Sequence, residues 1–61
     1  MYTKFVQLLQ KTNTTTYQVA KNTGISQAVF SKWKSGISNP KADKLLKIAD
    51  YFGVDVRYFL E

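Results

Sequence analysis

Gln27 and Lys32 stand five positions apart near the middle of the sequence, with Ala28, Val29 and Ser31 between them. A glutamine amide at the start of a helix can bond adenine N6 and N7 together, and a lysine can donate to guanine O6 and N7. An alanine or valine beside them can touch a thymine methyl. Covalent chemistry has far less to work with. The chain holds no Cys and no His, so thiolate chemistry, His-based triads and zinc sites built on either residue are excluded. The carboxylates Asp43, Asp50, Asp55 and Glu61 are scattered, whereas enzymes that work with paired acids hold two close together. Ser, Thr, Tyr and Lys remain as nucleophiles, and none has a base placed beside it. The inventory points away from an enzyme, and no cofactor, metal or small-molecule ligand is evident.

Nine Lys and Arg against four acids give a net charge of +5 on 61 residues. Such an excess on so small a body is the electrostatic footprint expected of a nucleic-acid binder. The length allows one domain, residues 1–61, and no second. With 44% apolar and 15% aromatic residues the chain is too hydrophobic to be disordered. No apolar run approaches the roughly 18 residues of a membrane span, and Met1-Tyr2-Thr3-Lys4 lacks the apolar core of a secretory leader. The expected location is the cytoplasm.

Five short segments must position these side chains. Turn signals at Thr12 to Thr15, Gly24, Ser35 to Pro40 and Gly53 separate them, and all five read as helices. The first, Tyr2 to Lys11, carries Phe5, Leu8 and Leu9 at i, i+3, i+4. The second, Thr16 to Thr23, has Thr15 as N-cap and Gln18 to complete a capping box. Gly24 follows where a left-handed cap is wanted. The third, Gln27 to Lys34, starts at Ser26 and buries Phe30 and Trp33, three apart. The fourth runs from Pro40 or Lys41 to Phe52, with Leu45, Ile48, Ala49 and Phe52 as its apolar stripe. The last begins after Asp55, as N-cap, and ends near Leu60. Tyr17, Tyr51 and Tyr58 are expected to straddle core and surface. The fold expected is an all-α, five-helix domain. Its second and third helices form a helix-turn-helix, in which small Ala20 allows a close crossing and Ile25 plugs the corner.

The residues Gln18-Val19-Ala20, Thr23-Gly24-Ile25-Ser26-Gln27 and Phe30-Ser31-Lys32-Trp33-Lys34-Ser35-Gly36 resemble the Cro/repressor-like helix-turn-helix family of phage and bacterial regulators. Pro40, then Leu45 to Val54, and Tyr58-Phe59-Leu60 extend the likeness to about residues 3 to 60. The resemblance implies sequence-specific DNA binding with the third helix in the major groove. Its base-contacting positions fall on Gln27, Ala28, Ser31 and Lys32, with Val29 near the same face. Its phosphate-contacting positions fall on Thr16 and Tyr17, and on Ser35, Asn39 and Lys41, with Lys34 close by. Lys21, Lys44 and Lys47 read as solvated charge. The sequence departs from the family at Lys41, where a Ser or Thr cap is usual, and at Lys34, where an acid is frequent. The first leaves either Asn39 as cap or a shifted helix start. The second implies a steeper salt dependence. Val29 replaces a residue that is usually small or hydroxylic.

Members of this family usually dimerise, so that two reading helices meet successive major-groove faces of a near-palindromic operator about 34 Å apart. The corresponding surface here is Val54, Val56, Tyr58 and Leu60, unless these residues only close the core. The function expected is a transcriptional regulator of repressor type. The alternative is a protein-interaction module of antitoxin or adaptor type, which the polar third-helix face disfavours. Glu61 follows the domain directly, as in either a minimal regulator or a piece of a longer one.

Overall fold

The computed structural model describes residues 1–60, and it shows five helices and no strand among them. They are α1 (Tyr2–Thr12), α2 (Thr16–Thr23), α3 (Gln27–Ser35), α4 (Ala42–Phe52) and α5 (Arg57–Leu60). Local chemistry sets most of these ends. The Gln18 N–H donates to Thr15 Oγ1 at 3.2 Å, and the Thr15 N–H donates to Gln18 Oε1 at 3.0 Å, so the capping box is complete. Ser26 Oγ accepts from the Ala28 N–H at 3.2 Å and starts α3. Gly24 closes α2 at φ 74°, a left-handed conformation that a Cβ would strain.

Four boundaries differ from the sequence reading, the least of them the end of α3, at Ser35 rather than Lys34. Thr12 belongs to α1, and Asn13 at φ 55° is its left-handed cap. Asparagine tolerates that conformation better than most side chains. The start of α4 is shifted: its N-cap is Lys41, and neither Lys41 nor Asn39 supplies a side-chain cap bond. Pro40 lies before the helix and is buried. The last helix is shorter than expected, although Asp55 does cap it: its carboxylate accepts from the Arg57 N–H at 2.9 Å. The same carboxylate pairs with the Arg57 guanidinium at 3.0 Å, and these hydrogen bonds hold its pKa below the ordinary value of 3.8.

Lys41 gives the first of the testable consequences. The α4 amides have no side-chain acceptor at the N-cap. Lys41→Ser supplies one, and should stabilise the fold by about 1 kcal/mol. A higher urea midpoint at unchanged slope is the expected reading; an unchanged midpoint would mean that solvent already serves those amides equally well.

The core is an aromatic stack beside an aliphatic half. Phe5 lies between Phe30 and Trp33, with centroids 5.3 and 5.0 Å away and planes tilted by only 21° and 30°. Phe59 meets the Trp33 ring edge-on at 6.2 Å, which ties α5 to α3 and α1. Val19, Ala20, Ile25, Leu45, Ile48 and Ala49 fill the space where α2 meets α4. Phe52, expected in the core, is only half-buried at its edge. Tyr17 does not straddle: 59% of it is exposed. The Trp33 indole N–H is buried with no partner among the described residues, so Trp33 serves through its ring area rather than its polar edge.

Candidate nucleic-acid interface

Helix α3 divides its residues sharply between two environments. Phe30 and Trp33 are each 2% exposed and anchor one face. Gln27, Ala28, Ser31 and Lys32 are all exposed on the other. Val29 lies between: it is half-buried and packs against the core, with part of its surface facing out. An α-helix advances about 100° per residue, so anchoring positions 30 and 33 fixes the heading of 27, 28, 31 and 32. The buried ring pair therefore sets the orientation of the polar face.

A shallow groove runs along each side of α3. One is lined by Tyr2, Thr16, Gln27, Phe30, Ser31 and Lys34, and joins the start of α2 to the α3 ridge. The other is lined by Val29, Lys32, Asn39 and Lys41, and also by Asp43 and Lys44 of the first turn of α4. Eight of the eleven residues singled out for base or phosphate contact thus line one of two grooves flanking α3, and Lys34 joins Thr16 rather than Asn39. Ala28, Tyr17 and Ser35 are exposed but line neither groove, and Val29 is the half-buried wall of the second.

Besides core Phe30 and the loop residues Ser38 and Pro40, sequence reading missed three residues at these grooves. Lys44 read as solvated charge, yet it is half-buried in the α4 groove. Its place in the first turn of α4, three residues after the Lys41 cap, was the available signal. Asp43 sits among these lysines in the first turn of α4, where the helix dipole favours a carboxylate. Tyr2 reaches the first groove from the start of α1, which no local pattern announces.

The charge of this surface is available to a partner. Among the described residues the sole ion pair is Asp55–Arg57, at the start of α5, and no lysine is paired with an acid. Lys4 instead lies over the Tyr58 ring, 5.0 Å from its centroid. Lys32, Lys34 and Lys41 are exposed around α3 with no fixed counter-charge.

The C-terminal residues divide as well. Val54, Val56 and Tyr58 are half-buried and pack against the core, while Leu60 is 65% exposed. The grouping therefore offers one prominent apolar side chain, backed by the edges of three others.

No helix is long and apolar enough to cross a membrane, and no group of His, Cys, Asp and Glu suited to a metal occurs among the described residues. A family model described as helix-turn-helix matches residues 7–59, from the second turn of α1 to the penultimate residue of α5. Neither the curated proteins nor the solved structures gave a match.

Proposed function

The chain belongs to the helix-turn-helix family of DNA-binding transcriptional regulators, and from that premise we propose that it reads double-stranded DNA by sequence with α3 in the major groove. The observation that carries this reading is the division of α3: Phe30 and Trp33 are locked in the core while Gln27, Ala28, Ser31 and Lys32 stand free. Gln27 pairs with an adenine edge and Lys32 with a guanine edge. Ser31 bonds either, and Ala28 with the outer part of Val29 meets thymine methyls. Thr16, Tyr17 and Lys34 on one side, and Ser35, Asn39 and Lys41 on the other, hold the flanking phosphates. Those contacts fix the register without reading sequence.

The size of the fold supports a dimer. Its extents are 25 × 24 × 20 Å. Successive major-groove faces lie about 34 Å apart, so one copy spans a single half-site. Two copies joined through Val54, Val56, Tyr58 and Leu60 present two reading helices to a near-palindromic operator. Such a dimer on a promoter represses by excluding the polymerase. The binding seat is the bacterial or phage genome, and no cofactor takes part.

Selection of bound fragments from a random duplex library at about 150 mM salt tests the reading, because non-specific binding weakens steeply with salt. An inverted repeat is the expected product, and its spacing gives the dimer geometry. A lone half-site would remove the dimer. No enrichment would remove sequence reading and leave charge-driven adhesion. The Lys41→Ser variant should bind every duplex more weakly and lower the salt slope by about one, although it is the more stable protein. An unchanged slope would take Lys41 out of the phosphate set.

A further inference from the structure

We propose that Tyr2 is a further DNA-positioning residue, its hydroxyl donating to the phosphate seated in the groove between the start of α2 and α3. The proposal rests on the DNA reading of α3 given above and adds a residue from outside the helix-turn-helix. Three observations meet at this side chain. Tyr2 shares the groove with Thr16, Gln27, Ser31 and Lys34, so it faces both a base-reading set and a phosphate-holding set. None of the residues lining this groove is acidic, whereas the groove on the other side of α3 contains Asp43. The ring is also held in place: it meets Trp33 edge-on at 5.5 Å and 75°, and lies 5.9 Å from Phe5.

A held ring has lost most of its freedom before DNA arrives, so its hydroxyl binds with little further loss of entropy. That hydroxyl makes no hydrogen bond to another described residue, although the ring that carries it is half-buried. A phenol donating to a phosphate oxygen makes a charge-assisted bond, stronger than one to a neutral acceptor. Because Tyr2 packs edge-on against Trp33, one of the two rings that anchor α3, it also joins the DNA backbone to the core that sets the heading of Gln27 and Ser31.

Tyr2→Phe removes the hydroxyl and keeps the ring. Its affinity should fall roughly three- to tenfold on the selected operator and on a random duplex alike. The salt slope should stay at the parent value, since no charge is lost, and the thermal midpoint should hold. A second measurement separates contact from packing. Each operator phosphate in turn is replaced by a neutral methylphosphonate. At one position per half-site the parent should lose affinity while Tyr2→Phe loses none beyond its own deficit. Parent-like affinity of Tyr2→Phe on both duplexes would overturn the proposal and leave the DNA reading standing. So would a lowered midpoint together with equal losses at every methylphosphonate. A parent protein that binds no duplex would overturn the DNA reading, and this proposal with it.

Discussion

Phe5→Ala should leave the protein largely unfolded at about 25 °C, with most of its helical circular dichroism lost. Removing a buried phenylalanine side chain costs ~3–5 kcal/mol, because the lost burial and the cavity left behind add together. Phe5 is fully buried, between Phe30 and Trp33, with the Phe52 ring edge-on at 6.2 Å. No neighbour can collapse into the gap without pulling α3 or α4 off α1. At the ~0.05–0.15 kcal/mol per residue typical of natural domains, a chain of this size holds only about 3–9 kcal/mol in all. The loss therefore consumes most of the reserve. Leu46→Ala is the matching control, since Leu46 is 50% exposed; its effect should stay within about 0.5 kcal/mol. A cooperatively folded Phe5→Ala protein with a urea midpoint near the parent would mean that the aromatic stack is not what holds the helices together.

Helix ends set by near neighbours were legible in the sequence. Thr15 with Gln18, Ser26, Gly24, Gly36 and Gly53 each act through atoms a few residues away, and each occupies the conformation expected of it. The buried pair Phe30 and Trp33 was legible for the same reason, since a spacing of three on a helix admits one shared face. The start of α4 was not. Asn39-Pro40-Lys41 contains two residues suited to a helix start, and what decides among them is the burial of Pro40, a tertiary fact. Tyr2 was missed at the site on similar grounds. It belongs to α1 by sequence and to the α3 groove by packing, through a crossing of helices that periodicity cannot supply. Val29 shows the limit from the other side. An apolar residue on a polar face reads as a methyl contact, yet its half-buried place against the core gives it packing work as well.

These particulars join stability to recognition. Apart from Val29, the side chains proposed to touch bases are exposed, so their aim comes from the buried face of the same helix. The rings of α1 and α5 hold that face through Trp33. A change that loosens Phe5 or Phe59 without unfolding the chain should therefore blur sequence preference before it weakens binding to DNA at large. Non-specific attachment needs only the lysines around α3, and their charge does not depend on the helix's heading.

Gln27→Ala should weaken binding to the selected operator by about 1–3 kcal/mol and leave binding to random duplex nearly unchanged. Gln27 is the first residue of α3, exposed, and one position beyond the Ser26 cap. The cap bond runs from the Ala28 N–H to Ser26 Oγ at 3.2 Å and does not involve the Gln27 side chain. Alanine is also the better helix former, so the fold should be as stable as before or slightly more so. Lost affinity therefore reports lost contact rather than lost structure. Glutamine is neutral, so the salt slope should not move, which sets this variant apart from Lys41→Ser. Repeating the fragment selection with Gln27→Ala should relax preference at one base pair in each half-site, symmetrically if the protein binds as a dimer. The companion measurement is the dissociation constant on the operator and on a shuffled duplex at the same salt. Equal losses on the two would show that Gln27 does not read sequence, and would move the burden of recognition to Ser31 and Lys32 further along the helix.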